Sequence, residues 1–364
     1  DNKGPAIGIL YMMQCLRELE IPMKHELCLF LGTDEERGMA DLEYYTAHYP
    51  TPKLSMIADS GFPVCYGEKG IIEGQMVADA PFSEDILECF GGSASNMIPD
   101  RAEVLLRACD RFCEELKAMK QETPAESDGV LYSSDRIVCT QEEGGIRIVA
   151  KGMSKHSAFP QGSVNAIYEL STFMTKLTSL SENDRQIFAR MAHLSQEYYG
   201  ENPGIAYEDE VSGKTTCAAT VLELRERCMC LTLNIRYAIT AKDDENLVTL
   251  SAYAESRGLT WELERNSRPN YFPKEHPAVD LLTNLFNEIT GRDEKSFVMG
   301  GGTYARKLPN AFAYGVGNMV ESEEDKRIKE SLFAPGHGGA HEPATRWSLT
   351  PILPPSVLLR KRCG

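Results

Sequence analysis

Residues 27–38 read "LCLFLGTDEERG", and the fold class turns on them. Leu27 to Leu31 is an apolar run of strand length that stops at Gly32. A helix is predicted over Arg37 to His48, and after Pro50 and Pro52 a second apolar run, Leu54 to Ala58, ends on Asp59. Strand, helix and strand in that order predict two parallel strands joined by a right-handed crossover. In such sheets the chemistry collects beyond the carboxyl ends of the strands, and Glu35, Glu36 and Asp59 all lie just past those ends.

Upstream, Ile9, Met12, Met13, Leu16 and Leu19 recur at helical spacing and predict a helix over Ala6 to Glu20. After about residue 68 the texture changes. Strands are predicted at Ile71–Ala78, Arg136–Cys139, Ile146–Lys151, Thr215–Arg227, Cys230–Tyr237 and Leu259–Glu264. Helices are predicted at Arg107–Lys120, Val164–Leu180, Asp184–Glu197 and Asp243–Arg257. This alternation, run through twice, suggests two related α+β halves. From Pro277 the first texture returns: Ala278, Leu282, Leu285, Phe286 and Ile289 form one helical stripe, Gly291 stops it, and Phe297 to Met299 runs as a strand into "GGGTYAR". The middle therefore reads as an insertion into a split α/β domain.

Composition narrows the function classes. A chain of 364 residues holds two ordinary domains, and 42% hydrophobic with 25% charged residues is typical of globular proteins. No apolar run reaches the ~18 to 20 residues that span a bilayer, and no basic-then-apolar leader is present, so the expectation is a cytoplasmic enzyme or binding protein with no membrane partner. A net charge of −16 argues against nucleic acid as a partner. The 11 cysteines are scattered and expected to be reduced; Cys228 with Cys230, and Cys109 with Cys113, are expected to share faces of their elements rather than hold zinc.

Adjacent glutamates are usually a solvated turn, and Glu142 and Glu143 are read so. Asp34, Glu35 and Glu36 differ because they close a strand expected to be buried, where uncompensated carboxylates repel and lose hydration. A dinuclear metal site would supply that compensation. One carboxylate then ligates a metal while its neighbour accepts a proton from water.

Eight segments in order now make a pattern: "DNKGP" from Asp1, "GTDEE" from Gly32, "ADSGFPVCYGEKG" ending at Gly70, "GGSASNMIPDRA" from Gly91, "KGMSKHSAFPQGSVNA" from Lys151, "LNIRY" from Leu233, "GGGTYAR" from Gly300 and "PGHGGAHEP" from Pro335. Over residues 1 to about 343 the chain resembles the dinuclear zinc dipeptidases of the aminoacylase and carboxypeptidase superfamily, and within it the bacterial carnosinase-like branch with a large lid. The resemblance implies an α/β fold: a split zinc-peptidase-like catalytic domain (residues 1–67 and 272–343) with an inserted α+β lid of two ferredoxin-like halves (68–271), then an atypical tail (344–364). It implies Asp1 as the carboxylate bridging two metals, Glu36 and His341 on one ion, Asp59 on the other, and Glu35 as general base. His156 and Asn96 are implied to reach the substrate carbonyl, and Arg236 to hold the substrate carboxylate. The metal implied by the resemblance is zinc, two ions, with manganese or cobalt as alternatives that the same donors accept.

Plain alternatives stand beside these roles. His156 reads also as a surface-loop histidine, although Pro160, Gly162 and Asn165 around it complete the pattern; Asn96 reads also as a turn residue, and Arg236 as a strand-end charge. His337 reads as a neighbour in a glycine-rich loop; His25, His48, His193 and His276 read as surface or capping residues.

Both ends depart from the pattern. The family's bridging Asp follows a long stretch carrying a His-x-Asp pair, whose His is a ligand of the same ion as Asp59; here nothing precedes Asp1, so an N-terminally truncated chain is expected. After "HEP" the family continues with an acidic helix, whereas residues 344–364 carry Arg346, Arg360, Lys361 and Arg362, three prolines and no acidic residue. That shift predicts a tail translated out of frame or from a misassembled gene; a basic tail docking on the acidic body is the alternative. The resulting expectation is a monomeric, metal-dependent dipeptidase acting on small peptides with free amino and carboxyl termini. An N-acyl amino acid amidohydrolase and a catalytically silent fragment are the alternatives.

Overall fold

A computed structural model describes residues 3–35, 38–119 and 129–318. The chain divides into two compact units: Asp1–Gly67 with Tyr271–Phe297 and Gly302–Gly364, and Glu68–Asn270 with Val298–Gly301. Helices and several sheets make the fold mixed α/β. Among the described residues no helix is long and apolar enough to cross a membrane.

The first unit opens with α1 (Lys3–Glu18) and α2 (Ala40–His48), followed by β1 (Ser55–Ile57), β2 (Ser60–Phe62) and β3 (Val64–Glu68). The periodicity of the first helix is realised as α1, but none of its side chains is buried. Leu10 and Tyr11 are 49% and 65% exposed. The strand predicted at Leu27 to Leu31 does not form: these residues belong to no strand, and Leu31 is 58% exposed. A strand persists only where a neighbour takes up its backbone N–H and C=O groups, and no described strand pairs with this run. The expected parallel partner of residues 54–58 is therefore replaced by a strand from late in the chain.

The second unit carries β4 (Gly70–Ala78), β5 (Ile86–Gly91), β6 (Arg101–Arg107), α3 (Asp110–Ala118), β7 (Val130–Ser133), β8 (Ile137–Glu142), β9 (Gly145–Lys151), α4 (Ala166–Met174) and α5 (Glu182–Ser195). It continues with the short pair β10 (Glu208–Asp209) and β11 (Gly213–Lys214), then β12 (Thr216–Arg225), β13 (Cys228–Tyr237), α6 (Asp243–Ser256) and β14 (Leu259–Ser267). Nine strands form one antiparallel sheet in the order β14-β4-β13-β12-β5-β6-β9-β8-β7. Its apolar face meets the helices over a continuous core that includes Ile72, Leu106, Phe112, Phe188 and Leu233, all fully buried. Alternation along the strands delivers those side chains to one face.

The chain ends its described part with β15 (Asn270–Tyr271), α7 (Pro277–Thr290), β16 (Phe297–Met299), a short 3-10 turn (Tyr304–Lys307), β17 (Ala311–Tyr314) and β18 (Val316–Asn318). Helix α7 has the boundaries its sequence announces. His276 caps it by accepting from the Ala278 N–H at 3.2 Å, Pro277 opens it, and Gly291 closes it in the left-handed region at φ 69°. Strand β17 pairs parallel with β1, Ser55 opposite Ala311, and antiparallel with β3, while β18 pairs parallel with β2.

Candidate active site

Three of the predicted residues lie together in the second unit. The segment after β5 and the segment after β9 are zipped to each other: Met97 bridges His156 in antiparallel register, the Ser157 N–H donates to the Asn96 carbonyl at 2.8 Å, and the Ile98 N–H to the Lys155 carbonyl at 2.8 Å. Gly152 makes the convergence possible, since a Cβ there would lie 2.2 Å from the Val164 carbonyl oxygen and 2.8 Å from that of Pro99. Asn165 anchors the far end, capping α4 through the Ile167 N–H and donating to the Ala219 carbonyl. Gly152 and Asn165 of "KGMSKHSAFPQGSVNA" thus hold the loop that presents His156, and the paired segment after β5 presents Asn96, which is exposed.

The His156 ring is set in one tautomer. Its Nδ1 accepts from the Ala158 N–H at 3.1 Å, which places the ring proton on Nε2. Burial, and then the charge of Arg236, hold the ring well below its ordinary 6.5, at about 4. The imidazole is therefore a neutral hydrogen-bond donor at physiological pH.

Arg236 is buried on β13 and its guanidinium plane is fixed. Nε donates to Asn234 Oδ1 at 2.9 Å and Nη1 to the Gly300 carbonyl at 3.3 Å. Asn234, two residues away on the same face of the strand, is fully buried. Gly300, the first glycine of "GGGTYAR", needs to be a glycine: a Cβ there would come 2.7 Å from the Ala158 Cβ, directly after the His156 loop turns.

Glu35 and Asp59 lie in the first unit. The loop carrying Glu35 is organised by Asp41, whose Oδ2 accepts from the Thr33 N–H (2.6 Å), the Asp34 N–H (3.1 Å) and the Tyr304 hydroxyl (2.8 Å), while Oδ1 accepts from the Leu42 N–H (2.8 Å). Burial pushes the Asp41 carboxyl up, but the combined hydrogen bonds hold it below the usual carboxylate range. The Tyr304 hydroxyl is raised by burial and by Asp41, with a further contribution from the charge of Glu35. A Cβ on Gly32 would lie 2.0 Å from the Tyr304 hydroxyl and 2.8 Å from Asp41 Oδ2, so the glycine of "GTDEE" serves this junction. Phe30 packs its ring against Tyr45 and edge-on to Tyr304, which gives the apolar run before the loop a partial role. Neither Asp41 nor Tyr304 was singled out by sequence; Tyr304 sits inside a noted motif, and Asp41 carries no local signal.

Asp59 is two residues beyond the carboxyl end of β1. Asp1, Glu36 and His341, like the tail at 344–364, lie outside the described residues. Among the described residues no group of three or more His, Cys, Asp or Glu side chains is placed to hold a metal. Asp59 is the one residue of the expected ligand set, Asp1, Glu36, Asp59 and His341, that lies among the described residues; carboxylates with an imidazole are donors of the kind zinc, manganese or cobalt accepts.

No protein-family model matches the chain. Its sequence is 27% identical over 335 residues to a candidate dipeptidase of Staphylococcus saprophyticus, covering 89% of this chain and 69% of that protein. It is 26% identical over 323 residues to the candidate dipeptidase YtjP of Bacillus subtilis, covering 86% and 67%. Over most of its length the chain is thus similar to bacterial candidate dipeptidases. Among solved structures, the aminoacylhistidine dipeptidase of Vibrio alginolyticus has a TM-score of 0.42 at 13% identity, over 78% of this chain and 63% of that one. A tripeptidase from Staphylococcus aureus has a TM-score of 0.42 at 11% identity, over 88% and 64%. The chain spans less than two thirds of either of these solved structures.

Proposed function

We propose that the chain hydrolyses dipeptides with free amino and carboxyl termini in a metal-dependent reaction. The observation that carries this reading is the Ala158 N–H on His156 Nδ1, in a ring kept neutral beside the buried Arg236. Such an imidazole offers its Nε2–H to a carbonyl oxygen, and that bond strengthens as negative charge develops there. The Asn96 side chain is a second donor. Arg236, its plane fixed by Asn234 and Gly300, is suited to the planar carboxylate of the substrate. Hydrolysis breaks the amide C–N bond, adds the water oxygen to the carbonyl carbon and delivers a proton to the departing nitrogen. Glu35 takes that proton from water and passes it on. Asp1, Glu36, Asp59 and His341 would hold a metal pair, which supplies Lewis acidity toward water and carbonyl.

Zinc as the metal and a monomeric state belong to this proposal through the sequence resemblance, and a cytoplasmic location through the composition. The division into catalytic domain and lid belongs to the same proposal. The strand order β14-β4-β13-β12, with α6 between β13 and β14 in the chain, supports a ferredoxin-like half in the second unit. A second reading, a catalytically silent chain, is favoured by the exposed apolar residues of α1 and of residues 27–31.

A panel of a free dipeptide, its N-acylated form and the parent N-acyl amino acid, assayed with zinc, manganese or cobalt, tests the proposal. Turnover restricted to the free dipeptide is expected. Preferential cleavage of the N-acyl compounds would turn the reading to an amidohydrolase, and no turnover with any metal would favour the silent chain.

A further inference from the structure

Asn234 belongs to none of the roles above, yet every polar atom of its side chain is engaged inside the second unit. Oδ1 accepts twice, from Arg236 Nε at 2.9 Å and from the Ser157 hydroxyl at 2.8 Å. Nδ2 donates to Glu73 Oε2 at 2.6 Å. Asn234 and Ser157 are both fully buried, so neither exchanges these partners for water without cost. Glu73 decides the orientation: a carboxylate accepts only, so it selects the amide's NH2 and turns the oxygen toward Arg236 and Ser157. Glu73 lies opposite Asn234 in the β4–β13 register, so the arrangement is set by strand pairing rather than by a loop.

The double acceptor has a mechanical consequence. Ser157 directly follows His156, and Arg236 lies two positions along β13 from Asn234. One amide oxygen therefore joins the strand bearing the guanidinium to the loop bearing the imidazole. We propose that Asn234 is a positioning residue that fixes the Arg236 guanidinium and the His156 loop as one rigid set, so that substrate-carboxylate recognition and carbonyl recognition are held in register. This rests on the dipeptidase reading for what the set binds, but not for its existence. A buried asparagine that serves packing alone would have no reason to share one oxygen between these two neighbours.

The test uses the full chain with zinc and the isosteric variant Asn234→Leu, with two readouts. The first is KM for a dipeptide and for its C-terminal amide. The variant is expected to raise KM for the free carboxylate about tenfold or more while leaving the amide nearly unchanged, the size expected from one misplaced charge-assisted hydrogen-bond pair. The second is the His156 imidazole titration by NMR, assigned with His156→Gln. With Arg236 released, the midpoint is expected to rise from about 4 by on the order of half a pH unit. Equal losses on both substrates with an unmoved His156 titration would overturn the proposal and leave Asn234 a packing residue. If the parent chain cleaves neither substrate, the dipeptidase reading fails, and the titration alone decides the positioning role, an unmoved midpoint overturning it. If Asn234→Leu does not fold, Glu73→Ala frees the amide to rotate; it is expected to move the His156 midpoint in the same direction by a smaller amount, and no movement overturns the proposal.

Discussion

The two units use the same apolar vocabulary and meet different fates. In the second, a nine-stranded sheet and its helices bury a continuous core from Ile72 to Leu259. In the first, α1 carries a helical stripe of apolar residues and buries none of it, and the run at 27–31 is mostly exposed. Hydrophobic periodicity states which face asks for burial; it does not state what covers it. The candidate chemistry divides along the same line. The groups proposed to grip substrate, His156, Asn96 and Arg236, stand on the well-packed unit, where the Ala158 N–H, Asn234 and Gly300 hold the imidazole and the guanidinium. Glu35 stands on a loop in the first unit, held by the carboxylates of Asp41 and Asp34.

The comparison is broken most strongly in the core. Phe112→Ala, at a fully buried site, is expected to cost about 3–5 kcal/mol, whereas Leu10→Ala, on the exposed face of α1, is expected to change stability by less than ~0.5 kcal/mol. Urea unfolding of the two variants checks this, and similar losses would mean that α1 is covered in solution. Next in size, Gly32→Ala drives a methyl group into the Tyr304 hydroxyl and Asp41 and is expected to cost about 1–3 kcal/mol, read as a lowered melting temperature. Activity falls with it if the loop carries the base.

A further effect is one of pH. Because His156 is held from 6.5 down to about 4, the unfolded chain takes up a proton there that the folded chain refuses. The stability contribution of the neutral ring is complete above its unfolded value and fades as pH falls from 6.5 toward 4. Melting temperatures across that window should fall less steeply in His156→Gln than in the parent chain.

Much of the second unit was legible because its signals are local. The strand predicted at Ile71–Ala78 is β4 (Gly70–Ala78), Cys230–Tyr237 lies within β13 (Cys228–Tyr237), and Asp243–Arg257 is α6 short by one residue. Strands β5, β6 and β7 were missed: "ILECFG" and "RAEVLLR" mix charges into short runs, and only pairing with neighbours makes them strands. The run at 27–31 failed for the converse reason, a strong local pattern with no described partner. In the candidate site, His156, Asn96 and Arg236 stood inside recognisable motifs. Asp41 and Tyr304 meet across 263 positions of sequence, and Asn234 reveals its role only through Ser157 and Glu73, 77 and 161 positions away. No spacing rule reaches that far.

The most direct test of the account is the turnover number of the metal-supplemented chain on a free dipeptide, compared with that of Glu35→Ala. Loss of a general base lowers turnover by about 10²- to 10⁴-fold, and the account predicts a fall of that size with the metal content unchanged. Equal turnover in the two proteins would contradict it.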